Sequence, residues 1–331
     1  MNGIKVLGTG QYLPKNIVCN DDFADIVETS DEWITKRTGM KERHITAGEE
    51  TWAMGAFAAK QALEGGSINP LTIDLILVTT VTPDYLTPST ACLIQAEIGA
   101  WNAACMDINA ACSGFVYALD MARRYLAFDD VKRVLVVSSE TLSNITDYTD
   151  RASCVLFGDA AGACILEAAE GFFVSELGAD GRSAHLLYCK NHYNINNPFI
   201  KPVLKPQYTQ RITPTTGFLH MDGKEVYKFA IKAMPLALLA ACKKAGITTD
   251  ELDWVIPHQA NLRIVESAVK ELHIPTEKLY VNLEKHGNVS SACIPICLNE
   301  LSRSGKLLRG QKLALVGFGA GVTHAACVFS W

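Results

Sequence analysis

Cys112 stands where a cysteine can act as a nucleophile. It lies in the stretch Ala110–Gly114, after a strand-like apolar run and at the start of a helix predicted over Ser113 to Tyr125. A thiol at a helix N-terminus faces unpaired backbone N–H groups and the positive end of the helix dipole, so we expect a lowered pKa and a favoured thiolate. Its small neighbours leave room for a substrate. The alternative is an inert buried thiol, one of eleven cysteines in the chain.

Two further side chains, His258 and Asn288, come at positions where chemistry is expected. His258 follows the apolar strand predicted over Trp254 to Pro257, at the strand end where α/β proteins place ligands. Asn288 lies in the turn before a second helix, predicted over Ala292 to Leu301. The alternatives are a histidine whose hydrogen bonds are satisfied in the core and an Asn that caps a helix.

An internal repeat indicates how these residues are brought together. When the sequence is shifted by 179 residues, Ile73 to Leu77 aligns with Leu252 to Ile256, and Val131 to Val137 aligns with Gly310 to Val316. The same shift places Cys112 opposite Ser291, each at the start of a helix. In a duplicated fold, catalytic residues often lie where one copy differs from the other. This makes Cys112 a stronger candidate for a catalytic nucleophile than the other cysteines.

Strands that alternate with helices predict parallel α/β layers. We therefore expect an α/β fold of two similar halves related by a pseudo-twofold axis, 1–170 carrying the nucleophile and 171–331 carrying His258 and Asn288. The axis brings the two helix N-termini, and with them the three side chains, together. The stretch 191–216 has no hydrophobic period and is expected to be a long surface loop, with a lid as one interpretation.

Composition excludes several classes of protein. The chain has 331 residues, 49% of them hydrophobic and 20% charged, with a net charge of −5. A general nucleic-acid binder would show a basic excess instead. We see no signal peptide and no apolar run of the roughly 18 residues that a membrane helix needs. An odd number of scattered cysteines favours reduced thiols, and the expected location is the cytoplasm.

Two other kinds of site are disfavoured. The stretch Gly317–Gly321 follows a strand, but Val322 to Trp331 reads as another strand, whereas a dinucleotide-binding loop must open a helix. Such a turn can instead offer a backbone N–H group to an oxyanion. A metal site is not expected, because the histidines do not cluster and Cys293 and Cys297 lie on one apolar helix.

The sequence resembles the β-ketoacyl-acyl-carrier-protein synthase III family nearly from end to end. The motifs that carry the resemblance are Gly8–Pro14, Thr29–Ile34, Arg37–Gly39, Ala110–Gly114, Phe157–Asp159, Pro257–Arg263 and His286–Asn288. The resemblance implies a five-layered α-β-α-β-α thiolase-like fold and a homodimer.

The resemblance also implies a reaction without a cofactor or a metal. Cys112 would take an acyl group from an acyl-CoA, and malonyl-acyl-carrier protein would lose CO₂ to give a carbanion that attacks the thioester and starts fatty-acid synthesis. Neutral His258 and Asn288 would each donate a hydrogen bond to the enolate oxygen. Backbone N–H groups of Cys112 and Ala320 would form the oxyanion hole.

Further site residues follow from the resemblance alone. The residues that would bind CoA and substrate are Thr29, Trp33, Arg37, Arg151, Met221, Tyr227, Ala260 and Asn261, with adenine between Trp33 and Arg151. The acyl pocket would include Thr87 (from the partner subunit), Phe157 and Phe318. Arg263, Lys224 and Lys228 would dock the acidic carrier protein, although a solvated helix face is an equal interpretation of the lysines. The sequence departs from the family at Lys224, usually Asn, at Glu271, usually Lys, and in the longer 191–216 loop.

Three alternatives stay open. One is a specialised-metabolism relative that condenses or transfers unusual acyl groups. A second is a thioester hydrolase that uses Cys112 and His258 and turns over without malonyl-carrier protein. A third is a non-catalytic acyl-binding protein, which the presence of Cys112, His258 and Asn288 disfavours.

Overall fold

The structure is a computed structural model that describes residues 3–128, 130–191 and 217–331. Apart from its first residue, the predicted loop 191–216 lies outside the described residues, so its interpretation as a surface loop or a lid stays a prediction. None of the described helices is long and apolar enough to cross a membrane.

Strands and helices alternate along most of the chain. The described strands are β1 (Gly3–Tyr12), β2 (Ile17–Cys19), β3 (Glu42–His44), β4 (Leu75–Thr79), β5 (Ala104–Ile108), β6 (Arg133–Thr141), β7 (Asp159–Ala169), β8 (Phe173–Ala179), β9 (Leu187–Cys189), β10 (Leu219–Met221), β11 (Trp254–Pro257), β12 (Lys312–Gly319) and β13 (Thr323–Ser330). The described helices are α1 (Asp31–Thr38), α2 (Thr51–Gly66), α3 (Thr90–Ile98), α4 (Gly114–Tyr125), α5 (Arg151–Cys154), α6 (Gly223–Ala245), α7 (Leu262–Leu272), α8 (Leu283–His286) and α9 (Cys293–Arg303).

Two large sheets have matching topology. The first has the strand order β1-β7-β6-β4-β5, and the second has the order β11-β12-β13-β8. In the first sheet Leu75 of β4 pairs in parallel with Val134 of β6, and in the second Trp254 of β11 pairs in parallel with Leu313 of β12. Each of these positions is related to its counterpart by the shift of 179 residues, which confirms the internal repeat.

Both sheets are mixed, so the prediction of parallel α/β layers holds for only part of each sheet. Strands β1, β7, β8 and β13 pair antiparallel with their neighbours. A strand returns in the same direction only after a crossover helix. Between Gly319 and Thr323 the chain instead makes a tight turn, so β13 runs back along β12.

The core has five layers. Helices α4 and α9 form the middle layer, and each contacts strands of both sheets. Phe115 and Leu119 of α4, with Ile294 and Leu298 of α9, are buried in the cluster between the sheets. Helices α2 and α3 cover the outer face of the first sheet, and α6 and α7 cover the outer face of the second. This α-β-α-β-α arrangement confirms the predicted fold class.

Candidate active site

The turn that carries Cys112 follows β5 and leads directly into α4. Residues Ala111–Ser113 form a single 3₁₀ turn, in which Ala111 has a left-handed φ of 48°. Gly319, at the end of β12, lies so close that a Cβ there would be 2.6 Å from the backbone nitrogen of Cys112. The sulfur of Cys112 is 3.4 Å from the hydroxyl oxygen of Ser290. Two strand-turn-helix units, one from each half, therefore meet at the thiol.

The expectation of a lowered pKa at Cys112 is wrong. Burial raises the pKa of the Cys112 thiol to about 12, and the carboxylate of Glu140 acts in the same direction. The hydrogen bond to Ser290 and the backbone N–H of Cys112 lower the pKa, but removal of the thiolate from water is the larger effect. The folded protein therefore holds Cys112 as a neutral thiol near pH 7.

His258 is fixed by its backbone at the end of β11. Its N–H donates to the carbonyl of Val316 at 2.8 Å, and its ring packs edge-on against Phe318 with centroids 5.5 Å apart. The side chain is buried, and this burial lowers the pKa of His258 to about 3. Nδ1 has no hydrogen-bond partner among the described residues. The imidazole is therefore neutral at physiological pH, so it can act as a hydrogen-bond donor but not as a positive charge.

Asn288 presents its amide in a defined orientation. Its side-chain oxygen accepts a hydrogen bond from the backbone N–H of Ser290 at 2.9 Å and a weaker one from the thiol of Cys293 at 3.8 Å. Because the oxygen is occupied in this way, the NH₂ group is the part of the amide that can donate to a substrate. The helix-cap alternative is wrong, because the N-cap positions here are Val289 and Ala292; the Asn288 oxygen holds the turn instead and leaves the NH₂ group available as a donor.

A cavity of about 600 Å³ joins the three side chains. Cys112, His258 and Asn288 all line it. So do most of the predicted CoA contacts, namely Trp33, Arg37, Met221, Tyr227, Ala260 and Asn261, and the predicted acyl-pocket and oxyanion residues Phe157, Phe318 and Ala320. The structure thus gathers residues from both halves of the chain around one space.

Trp33 lies between two arginines at the mouth of this region. The guanidinium carbons of Arg37 and Arg151 are 4.4 Å and 4.9 Å from the centre of the Trp33 ring. An adenine between Trp33 and Arg151 needs about 7 Å, because each stacking contact takes about 3.5 Å. The expected sandwich therefore requires Arg151 to move by roughly 2 Å. Arg151 is also hydrogen-bonded to the carbonyl of Glu28.

The remaining predicted residues lie outside the cavity. Lys224 and Lys228 are exposed on α6, and Lys228 pairs with Glu225 at 2.6 Å. Arg263 lines a second cleft with Trp33 and Arg37, so it lies beside residues of the predicted CoA site. Thr29 and Thr87 do not line the cavity, and Thr87 is exposed on this single chain.

Sequence reasoning missed Ser290 and Glu140. Glu140 is fully buried at the end of β6, and its carboxylate accepts a hydrogen bond from the hydroxyl of Ser291 at 2.6 Å. The sequence did contain a signal for Glu140. An acidic residue in an apolar strand is costly to bury, so its presence there indicates a specific role. The shift of 179 residues also pairs Glu140 with Gly319, which marks it as a point of divergence between the halves.

The described residues contain no group of three or more His, Cys, Asp or Glu side chains that could hold a metal ion. All eleven cysteines are free thiols.

Comparison with known proteins agrees with this architecture. A family model described as 3-oxoacyl-[acyl-carrier-protein (ACP)] synthase III matches residues 106–181, and a model of its C-terminal part matches residues 242–331. The β-ketoacyl-[acyl-carrier-protein] synthase III of Clostridium acetobutylicum is 44% identical over 333 residues, which cover 100% of this chain and 99% of that protein. The chain belongs to the β-ketoacyl-[acyl-carrier-protein] synthase III family.

Solved structures of similar proteins agree with this family assignment. The 3-oxoacyl-[acyl-carrier-protein] synthase III from Aquifex aeolicus VF5 has a TM-score of 0.90 at 40% identity and covers 99% of this chain and 100% of its own. The priming β-ketosynthase from the R1128 polyketide biosynthetic pathway has a TM-score of 0.88 at 33% identity, with 99% and 96% covered. As a member of the β-ketoacyl-[acyl-carrier-protein] synthase III family, the chain is an acyltransferase of the condensing type.

Proposed function

We propose that the chain catalyses the decarboxylative condensation of an acyl-CoA primer with malonyl-acyl-carrier protein, which gives a β-ketoacyl-carrier protein and initiates fatty-acid synthesis. The observation that carries this proposal is the single cavity that is lined by a thiol, a neutral imidazole and an oriented amide. The halves divide near residue 170, so that the nucleophile comes from one half and the two donors come from the other.

In the first half-reaction Cys112 attacks the thioester of the primer and forms an acyl-enzyme. The backbone N–H groups of Cys112 and Ala320 stabilise the tetrahedral oxyanion. The close approach of Gly319 to the Cys112 turn supports this assignment, because it brings the end of β12 beside the backbone nitrogen of Cys112.

In the second half-reaction malonyl-carrier protein loses CO₂. The departing CO₂ leaves an electron pair on carbon, so neither a strong base nor a cofactor is required. This carbon attacks the acyl group, the bond between the acyl carbon and Sγ breaks, and the released Cys112 thiolate takes a proton from water. The neutral imidazole of His258 and the NH₂ group of Asn288 donate hydrogen bonds to the enolate oxygen. The low pKa of His258 suits this role, because a neutral imidazole donates a hydrogen bond to the enolate without transferring its proton.

Substrates enter past Trp33. Arg37 and Arg151 beside its ring, together with Arg263 in the adjoining cleft, provide positive charge for the phosphates of CoA. Met221, Tyr227, Ala260 and Asn261 line the path to Cys112 and contact the pantetheine arm, while Thr29 lies beside the adenine end. Lys224, Lys228 and Arg263 meet the acidic carrier protein.

The chain acts as a homodimer in a reducing cytoplasm. Strand β5 is an edge of the first sheet, and exposed apolar side chains lie near it, with Leu86 68% and Trp101 65% exposed. An unpaired sheet edge beside apolar surface is a site for pairing with a second copy. The free thiols of all eleven cysteines suit a reducing compartment.

A specialised pathway is the second candidate. The 33% identical priming β-ketosynthase of a polyketide pathway favours it. The two candidates differ in the primer and not in the reaction, so a panel of acyl-CoAs separates them.

The test is intact-protein mass spectrometry after mixing with acyl-CoA, followed by malonyl-carrier protein. We expect one acyl group on Cys112, which disappears as β-ketoacyl-carrier protein forms. Continuous release of free acid with acyl-CoA alone would show a hydrolase and overturn the proposal. Absence of acylation with every primer of the panel would overturn it as well.

A further inference from the structure

Glu140 is a buried carboxylate for which the proposed condensation has no use. Its Oε2 accepts hydrogen bonds from the backbone N–H of Val81 at 2.9 Å and from the hydroxyl of Thr82 at 3.0 Å. Its Oε1 accepts from the hydroxyl of Ser291 at 2.6 Å. Removal from water disfavours a charged carboxylate at such a site. The hydrogen-bond donors around Glu140 offset part of this cost and fix the orientation of its side chain.

Contacts through Ser290 connect this carboxyl group to the thiol of Cys112. The hydroxyl of Ser290 is 3.4 Å from the sulfur of Cys112 and also interacts with the Glu140 carboxylate. Ser290 and Cys112 both line the cavity, whereas Glu140 lies behind them. A hydroxyl group can accept a proton from one neighbour while it donates its own to another.

Acylation must move a proton, because a neutral thiol becomes a thioester. His258 is poorly suited to accept it, since burial lowers its pKa to about 3. Burial raises the pKa of Glu140, which makes it the stronger base of the two. The ionisable groups placed against Glu140 are the thiols of Cys112 and Cys293, and its hydrogen-bond partners are hydroxyl and N–H groups.

We propose that Ser290 and Glu140 form a proton relay that takes the thiol proton of Cys112 during acylation and returns it to the departing CoA thiolate. This inference rests on the proposed function, since it names the proton acceptor of its first half-reaction. Ser290 contacts the reacting sulfur and is a catalytic residue, while Glu140 acts through it.

The step balances without any added reagent. The thiol proton of Cys112 passes to the oxygen of Ser290 as the serine proton passes to Glu140. The Sγ–C bond to the acyl group forms, and the C–S bond to CoA breaks. The two proton transfers then reverse, the CoA thiolate leaves as a thiol, and Glu140 is again a carboxylate.

Ser290→Ala and Ser291→Ala form a matched pair of variants. Both remove one hydroxyl that interacts with Glu140, but only Ser290 contacts Cys112. The left-handed φ of 50° at Ser290 accepts alanine, because Ala111 has a φ of 48° at the corresponding position. The backbone N–H that orients Asn288 is kept in Ser290→Ala.

The rate of Cys112 acylation is measured by rapid quench and intact mass, from pH 5 to pH 9, with a saturating acyl-CoA. We expect Ser290→Ala to lower this rate by about 10²-fold and Ser291→Ala by less than about threefold. Wild-type acylation should fall as the pH drops through the raised pKa of Glu140, and Glu140→Gln should lose that dependence along with most of the rate. First-turnover condensation from pre-acylated Ser290→Ala should stay within about threefold of wild type.

Acylation of Ser290→Ala at the wild-type rate, with the wild-type pH profile, would overturn the relay. Equal losses in Ser290→Ala and Ser291→Ala would also overturn it, because they would point to packing around Glu140 alone. If Glu140→Gln does not fold, the Ser290→Ala result decides. Failure of the wild-type protein to become acylated would instead contradict the proposed function.

Discussion

Ala111 and Ser290 hold the same left-handed backbone conformation, with φ angles of 48° and 50°, at corresponding positions of the two halves. Residues other than glycine rarely adopt such angles, so the surrounding structure must hold both turns in place. Each turn is held in place by the other half of the chain. Residues 111–113 pack on β12, and residues 290–292 pack on β6. The position of Cys112 is therefore set by contacts between the halves.

Gly319→Ala should displace the nucleophile. A Cβ at Gly319 would lie 2.6 Å from the nitrogen of Cys112 and 2.9 Å from the Cβ of Ala111, so the turn must shift. We expect acylation at least ~10-fold slower and a loss of about 1–3 kcal/mol in unfolding free energy. Acylation kinetics and urea denaturation provide the measurements. Gly181→Ala, where a Cβ would have no atom within 4 Å, is the control. Wild-type behaviour of Gly319→Ala in both assays would show that the turn is not held this closely.

Cys112→Ala should abolish acyl transfer. Of the other ten cysteines, only Cys189 also lines the cavity, and it lies on β9 rather than in the turn that leads into α4. Intact mass after incubation with acyl-CoA should therefore show no adduct, while peptide mapping of the wild-type protein should place the acyl group on Cys112. Cys293→Ala, which removes a buried neighbouring thiol, is the matched control and should still be acylated. An acyl adduct on any cysteine of Cys112→Ala would refute the assignment of the nucleophile.

Asn288→Asp should impair decarboxylation far more than acylation. The side-chain oxygen that accepts from Ser290 is kept, but an acceptor with negative charge replaces the NH₂ donor. We expect malonyl-carrier protein decarboxylation to fall by at least on the order of 10²-fold, and His258→Ala to lose a similar factor. Release of CO₂ and formation of the acyl-enzyme are measured separately for each variant. An equal loss in both steps would mean that these side chains only maintain the shape of the cavity.

The sequence predicted elements better than it predicted contacts. Strand Trp254–Pro257 was located to the residue, because it is a short apolar run after an aspartate. The relation between Ser290 and Glu140 was missed because it joins a turn to a strand end that is 150 positions away in the chain. The pKa of Cys112 was predicted in the wrong direction because helix position is visible in a sequence, whereas the extent of burial is not.

His258 should make the folded protein sensitive to acid. Its pKa is about 3 in the folded protein and 6.5 as a free side chain, so below pH 6.5 the unfolded chain binds a proton that the folded one does not. Stability is therefore lost as the pH falls from 6.5 towards about 3. His258→Asn should reduce the slope of unfolding free energy against pH by up to about 1.4 kcal/mol per unit, measured by urea denaturation. His220→Asn, which removes an exposed histidine, is the control. An unchanged slope in His258→Asn would mean that His258 takes up its proton in the folded state.

In the proposed homodimer, Thr87 should set the length of the primer that the other subunit accepts. It is exposed on the single chain, in a loop that also exposes Tyr85 and Leu86, and the family resemblance places it in the partner's acyl pocket. A threonine leaves volume that a large aromatic side chain would fill. Each further buried methylene then gains roughly 0.8 kcal/mol, or about a fourfold preference. We therefore expect medium and longer acyl-CoA primers to be used at least as well as acetyl-CoA.

The experiment measures kcat/KM across acyl-CoA primers of two to ten carbons at a fixed concentration of malonyl-carrier protein. Thr87→Phe should restore a preference for acetyl-CoA, whereas Thr87→Val, which keeps the size of the side chain, should retain the wild-type profile. Sedimentation at micromolar concentration must give a dimer for both variants, since the effect acts across subunits. A steep fall from two carbons to six in the wild-type protein would contradict the prediction, and so would a Thr87→Phe dimer with an unchanged profile. In either case another side chain, such as Tyr85 or Leu86, would have to close the pocket.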